Sequence, residues 1–337
     1  MNKQVTNILI LLTLLALLSF GALFIGSETI PFNSILDVLV GQSPNKVTSF
    51  IILDIRLPRI LTALISGTGL SVAGLLMQTY FRNSLAGPSI LGITSGASLG
   101  VALVTMSSTL FGFTLLNNGY SVAMASIIGS IGVLFIILVI ASRIGNGVIL
   151  LIIGIILSSF IGATVTILQY FTDAENIQKY VIWTMGSTNS TTLFDTGVLF
   201  IILIIGGLLT LLLIKPLNAL LIGEQYARSL GINITKSRYL IILSTGVLTG
   251  GITAFCGPIA FIGLAVPHLV KIKTTTSNHN YTIPLTALTG GIIMVIADSI
   301  AQAPFSEIQL PINAVTSLIA APIIIYIILK QRNFNGQ

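Results

Sequence analysis

Charge is almost absent from long runs of this chain, and that constrains its fold more than any other feature. Of 337 residues, 15 are Lys or Arg and 9 are Asp or Glu, and stretches such as 5–25 and 120–141 contain none. A charge at a bilayer centre costs about 2.5–3.5 kcal/mol on insertion scales, so such runs are written for lipid. About twenty apolar residues span a hydrocarbon core, a length this chain supplies repeatedly. Breaking the apolar runs at Pro, Gly and charge predicts about ten spans. They fall near 5–25, 58–80, 89–107, 120–141, 147–171, 193–214, 237–255, 258–270, 282–303 and 311–329. The expected fold class is all-α: a polytopic membrane protein forming one transmembrane domain over 1–337, with a cytoplasmic loop at 215–238.

The first run starts after Lys3 and could pass for a secretory leader. Its apolar stretch is long for one and no small-x-small cleavage site follows, so it is expected to remain as the first span. The single Cys256 has no partner within the chain and indicates neither a disulfide nor a metal site.

Basic residues set the orientation. With the N-terminus inside, the inner side carries Lys3, Arg82, Arg143, Lys215, Arg228, Lys236, Arg238, Lys271, Lys273, Lys330 and Arg332. The outer side carries Lys46, Arg56, Arg59 and Lys179. Eleven against four is a strong positive-inside bias, and it requires an even number of spans with both termini cytoplasmic. Acidic residues lean outward, with Glu28, Asp37, Asp54, Asp173, Glu175, Asp195 and Glu307 on that side. The net charge of +6 therefore reflects topology and gives no reason to expect nucleic acid as a partner.

Two spans are too short for plain crossing helices. Gly92, Gly96 and Gly100 recur at four-residue spacing in 89–107, which lets helix backbones approach closely. The run 258–270 begins at Gly257-Pro258 and ends at Pro267-His268. Thirteen helical residues reach only about 20 Å, so this run must pack inside protein or line a cavity. The surroundings of the two repeat. Ser66-Gly-Thr-Gly-Leu leads to Gly87-Pro88 and Gly92, and Ser244-Thr-Gly-Val-Leu leads to Gly257-Pro258 and Gly263. Running in opposite directions, they predict an inverted repeat, where transporters often place their pathway.

The longest inner loop holds helix-forming residues from Glu224 to Leu230, stopped by Gly231. A short amphipathic helix there either lies on lipid or docks a partner. No catalytic constellation is evident. Gly231-Ile-Asn-Ile-Thr-Lys236-Ser237 lacks the second glycine and the preceding strand of a phosphate-binding loop. The two histidines, His268 and His279, are too few for a histidine-rich metal site, and His268 is expected to be a structural hydrogen-bonding residue. Asp298 is the acidic residue placed well inside a span, with a proton relay or a structural role as the two readings. Asp54-Ile-Arg56-Leu-Pro58-Arg59 sets two arginines three residues apart at the outer mouth of the second span. They suit either an interfacial anchor paired with Asp54 or bidentate docking to an acidic partner.

Together these segments resemble the permease subunit of the iron-siderophore, haem and vitamin B12 class of ABC importers. The resemblance is carried by Arg56-Leu-Pro-Arg59, by Gly74–Gly92 with Gln78, Arg82, Asn83, Leu85, Ala86 and Pro88, and by Trp183-Thr-Met-Gly186-Ser187. It continues through Ala227-Arg-Ser-Leu230-Gly231, Gly257-Pro258-Ile-Ala-Phe261-Ile-Gly263-Leu-Ala-Val-Pro267-His268, and Leu310-Pro311 with Thr316 and Ala321-Pro322. The resemblance implies ten helices per subunit in a bacterial inner membrane and a homodimer with the pathway between copies. It also implies a solute-binding protein outside, two ATPase subunits inside and a metal-chelate cargo. The chain itself would carry no cofactor, ATP and Mg being bound by the ATPase. Arg56 and Arg59 would meet the binding protein, while Gly223, Glu224, Ala227, Arg228, Leu230 and Gly231 would couple to the ATPase. Gly92, Gly96, Pro258, Pro267, His268 and Asp298 would serve structure or pathway. Ser84, Gly87, Gln302 and Gln309 depart from the usual pattern, and Gln302 removes a third outer arginine. The competing expectation is a proton-coupled secondary transporter that uses Asp298, followed by a receptor or scaffold that transports nothing.

Overall fold

The computed structural model describes residues 3–42, 45–106, 119–144, 146–274, 276–302 and 309–334, with side chains over 4–325. Glu307, placed above with the outer acidic residues, lies outside the described residues. All regular secondary structure among the described residues is helical, without a β-strand. Its first half comprises α1 (Lys3–Ala22), α2 (Phe32–Leu39), α3 (Lys46–Phe50), α4 (Leu57–Tyr80), α5 (Ile93–Thr105), α6 (Gly119–Arg143) and α7 (Gly147–Tyr170). There follow α8 (Ala174–Thr184), α9 (Leu193–Leu212), α10 (Ile214–Ile222) and α11 (Glu224–Ser229). The remainder is α12 (Ile234–Cys256), α13 (Ile262–Lys273), α14 (His279–Ala301) and α15 (Ile312–Phe334). A π-helical turn, Ile51–Arg56, fuses α3 to α4, so helical backbone runs unbroken over 46–80.

Seven helices among the described residues are long and apolar enough to cross a bilayer; α5, α13 and α15 account for the other three expected spans. Helix starts carry the chemistry expected of them. Asn146, Asn233 and Asn278 accept from backbone N–H groups at the starts of α7, α12 and α14, and Thr192 with Asp195 forms a reciprocal capping box on α9. Each such cap is worth about 1 kcal/mol. The span expected at 258–270 starts later, at Ile262, because Gly257 (φ +69°) and Phe261 (φ +65°) are both left-handed and break the helix between them. The amphipathic helices α2 and α8 were not anticipated; neither is long enough to stand out from an apolar background.

Helix α4 is the centre of the bundle, with 20 of its 24 residues buried, and it packs against α9, α12, α13 and α14. Small residues make that density feasible. A Cβ on Gly74 would overlap the Gly263 carbonyl of α13, and one on Gly67 would overlap the Gly290 carbonyl of α14. The α5–α6 contact is built the same way from Gly96 against Gly129 and Gly100 against Ala125. Gly92 does not belong to that stripe. It closes the 3₁₀ turn Pro88–Leu91 with φ +78°.

The packing is reciprocal. Where α4 packs on α14, α12 packs on α6; where α13 packs on α14, α5 packs on α6; and α4 meets α13 as α12 meets α5. Exchanging α4, α5, α6 for α12, α13, α14 preserves the contact scheme, as an internal repeat requires. The buried apolar residues form two large clusters, apart from a small third one of Val72, Ala73 and Leu248. One cluster holds Met77, Leu91, Ile137, Leu150, Leu213, Leu217 and Ala227; the other holds Leu23, Ile35, Ile52, Ile60, Met294 and Ile312.

Candidate functional site

The loop after α9 folds as two short helices joined by glycine. Gly223 (φ +153°) ends α10 and turns the chain into α11; Gly231 (φ +77°) ends α11 and turns it into α12. Such positive φ values disfavour a side chain, so the two glycines fix where α11 begins and ends. Ala227 N–H donates to Gly223 O at 2.9 Å and Ile232 N–H to Ala227 O at 3.0 Å, which ties the turn together. Two faces result. Ala227 is 0% exposed and faces the inner cluster, so it holds α11 to the bundle and offers no surface to a partner. Tyr226 at 46% exposed and Leu230 at 57% look outward, flanked by exposed Leu221, Ile222 and Arg228. Glu224 is half-buried. The surface offered is thus a small apolar patch with a cation at its edge.

Three contacts graft this loop onto the core. Arg82 (φ +48°) stands at the end of α4 and donates from Nη2 to Leu220 O at 2.7 Å, capping the last turn of α10. Asn218 Oδ1 accepts both from the His279 backbone N–H and from Nδ1 of the same residue, each at 2.8 Å. That places the His279 proton on Nδ1 and leaves Nε2 to accept from the Thr79 hydroxyl at 3.1 Å, a proton shared with Leu75 O. Beside them, Gln78 donates to Leu264 O at 3.0 Å and accepts from Lys271 Nζ at 3.3 Å, linking α4 to α13. The loop is therefore bonded directly to the inner ends of α4 and α14.

The opposite end of α4 holds Arg56 and Arg59, about 35 Å away at 1.5 Å rise per residue. Both were expected at an outer docking surface, and both are 2% exposed. Arg56 donates to the carbonyls of Leu23 (2.6 Å) and Glu28, and Arg59 to those of Ala22 (3.2 Å) and Ile25 (3.1 Å). Those carbonyls belong to the end of α1 and the chain after it, where a helix leaves acceptors unsatisfied and carries partial negative charge. Both guanidinium groups are turned inward and close the end of α1. Neither pairs with Asp54, which is exposed. Asp298 is 0% exposed, sits 3.1 Å from Arg59 Nε, and accepts from the Thr188 hydroxyl at 2.6 Å. The Nε–Oδ2 contact is off the hydrogen-bonding angle, so that attraction is Coulombic. Asp298 is the countercharge of a capping arginine.

Next to the Asp298 contact, separate sequence motifs converge. Ser187 N–H donates to Cys256 O at 2.9 Å, Asn313 N–H to Met185 O at 3.2 Å, and Asn313 Oδ1 accepts from Ala260 N–H at 3.1 Å. The turns around Gly186, Gly257-Pro258 and Pro311 thus form one joint. Below it the Pro88 ring abuts Gly263, while Pro267 and His268 are buried within α13. No group of histidine, cysteine and carboxylate side chains suited to a metal occurs among the described residues.

Arg82 was visible only as a member of a motif, and Asn218, His279 and Thr188 were missed as site residues. Their signals are single polar side chains bordering apolar runs, which sequence alone does not pair. Over residues 11–330 the chain matches the model of the FecCD transport family. It is 35% identical to the hemin transport system permease protein of Yersinia pestis (96% of this chain, 95% of that one). It is 33% identical to the vitamin B12 import system permease protein of Vibrio parahaemolyticus (97% and 95%). It is 31% identical to the molybdate import system permease protein of Haemophilus influenzae (97% and 96%). A solved metal-chelate type ABC transporter in an inward-facing conformation superimposes with a TM-score of 0.84 at 31% identity, covering 96% of this chain and 98% of that one. The all-helical bundle is shared with that solved transporter over nearly its whole length, and the chain belongs to the FecCD transport family.

Proposed function

We propose that this chain is the membrane-spanning subunit of an ATP-driven importer for metal chelates of the iron-siderophore, haem or cobalamin kind. In this reading two copies pair around the pathway in a bacterial inner membrane, with both termini cytoplasmic. A solute-binding protein delivers cargo from outside, and two ATPase subunits, which bind ATP and Mg, dock inside. The observation that carries it is the loop surface: Tyr226 and Leu230 exposed at α11, directly after the helix α10 that Arg82 and Asn218 bond to the core. A surface that small is unsuited to lying on lipid and suited to seating in a cleft of a partner. The named cargoes of relatives, hemin and vitamin B12, support the chelate class, while the molybdate relative extends the range of cargo this scaffold serves.

The test uses the reconstituted complex. Leu230→Glu should release the ATPase or abolish stimulated hydrolysis while the permease still inserts and melts normally. The isolated chain should hydrolyse no ATP. Undiminished ATPase capture and transport by Leu230→Glu would remove α11 from the coupling role. Burial of the Asp298 carboxylate against Arg59 gives no support to proton-coupled transport through that residue.

A further inference from the structure

The helix α2 has three faces. At about 100° per residue, Ile35 and Val38 fall on one side, Asn33, Ser34 and Asp37 on a second, and Phe32, Leu36, Leu39 and Val40 on a third. The first face is buried in the outer-end cluster. The second is polar. The third consists of large apolar side chains, every one of them exposed. An ordinary surface helix has two faces, one for the core and one for water. A third, apolar face needs a third medium.

The neighbouring aromatic rings show where that face points. Phe32 stacks on Phe24 with centroids 5.7 Å apart and planes 9° from parallel, and Phe24 meets Phe20 edge-on at 5.5 Å. Phe20 lies on the membrane-crossing helix α1, where it is exposed alongside Leu9, Ile10, Leu12 and Leu17. The apolar face of α2 is thus continuous, through this ladder, with the side of α1 that stands in lipid. The end of α2 is equally well defined. Gln42 N–H donates to Asp37 O at 2.8 Å and Gly41 N–H to Val38 O at 3.1 Å, with Gly41 at φ +79°. That is a Schellman closure, which stops the helix after the fourth exposed apolar residue.

We propose that α2 is an interfacial membrane helix. It lies in the plane of the outer leaflet with Phe32, Leu36, Leu39 and Val40 immersed at the boundary of headgroups and acyl chains, and with Asn33, Ser34 and Asp37 in water. Lipid occupies the third face. Amphipathic helices bury an apolar side about 5–10 Å into that boundary. Anchored there, α2 fixes the level at which the capped end of α1 meets the bilayer surface, independently of any cargo or energy source.

Spin labelling of the chain in phosphatidylcholine–phosphatidylglycerol vesicles tests this. Nitroxides are placed singly at Leu36, Val40, Asn33 and Asp37 through cysteine substitutions in a Cys256→Ser background, with collision rates measured against oxygen and a water-soluble nickel chelate. Labels at Leu36 and Val40 should collide several-fold more with oxygen than with nickel relative to those at Asn33 and Asp37. Equal ratios at all four sites would put the helix in water and overturn the proposal. Labels at Leu36 and Val40 shielded from both agents would overturn it too, by showing protein on that face. The four positions carry side chains outside the core, and Leu36→Ser with a melting curve like the parent excludes misfolding as the cause of either result.

Discussion

Removing Asp298 should destabilise the protein by an amount its surroundings set. The carboxylate is the countercharge of Arg59 at 3.1 Å, both groups are almost wholly buried, and Ala22 O and Ile25 O would continue to hold the guanidinium in place. Deleting one partner of a buried pair costs about 3–5 kcal/mol. Loss of the Thr188 hydrogen bond adds about 1 kcal/mol. Scaled to chains of this size, the Asp298→Ala protein should melt on the order of 5–10 °C lower. The single, buried Cys256 supplies the assay, since a fluorogenic maleimide reacts with it only once the bundle opens. Replacing both partners, Arg59→Met with Asp298→Leu, should recover most of the loss, because an apolar pair leaves no unbalanced charge. Glu175→Ala is the control. It breaks an exposed Lys179 pair of 2.8 Å, worth at most about 1 kcal/mol, and should not move the curve measurably. An Asp298→Ala protein that melts with the parent refutes the reasoning. A double variant no better than the single would show that the Arg59 bonds to α1, not its charge, hold this end together. Asp298→Asn should keep transport, and loss of transport at unchanged stability would return the residue to a proton-carrying role.

Further outcomes follow from close approaches and from the inner network. Gly74→Ala should prevent stable folding in the membrane, because its methyl overlaps the Gly263 carbonyl, whereas Gly132→Ala, with open space around it, should be neutral in the same melting assay. His279→Ala and Asn218→Ala should leave ATPase capture nearly intact but lower transport per ATP hydrolysed, since each cuts the bond between the loop and the inner ends of α4 and α14. A parent-like coupling ratio in both would count against that path. Arg82→Ala should weaken capture itself by freeing the last turn of α10, seen as faster dissociation of the ATPase.

The sequence made the bundle legible because lipid imposes one rule, long apolar runs, that needs no knowledge of neighbours. The short helices α5 and α13 and the bracketed loop were readable from glycine and proline for the same local reason. The arginines were not. Spacing of three residues puts Arg56 and Arg59 on one face of the continuous helix over 46–80, yet what that face meets is a set of backbone carbonyls from Ala22 to Glu28, which any sequence would present. Nor could the loop sequence show that Ala227 is buried, because a six-residue helix has an inner side as well as an outer one. Asn218, His279 and Thr79 lie 61 and 200 residues apart in the chain, and only the fold brings them together.

Helix α4 is a rigid rod whose two ends are both fastened. Taken as about 36 Å long, it converts a tilt of roughly 5° about one end into a displacement of about 3 Å at the other, with no backbone hydrogen bond broken. At the inner end it is held by Gln78, Thr79 and Arg82; at the outer end it carries Arg59 within 3.1 Å of Asp298. A displacement of that size matches the outer ion pair's own separation. A tilt of that size driven from under the loop would therefore be felt at the Arg59–Asp298 pair, because a stiff, buried α4 is the direct mechanical link between them.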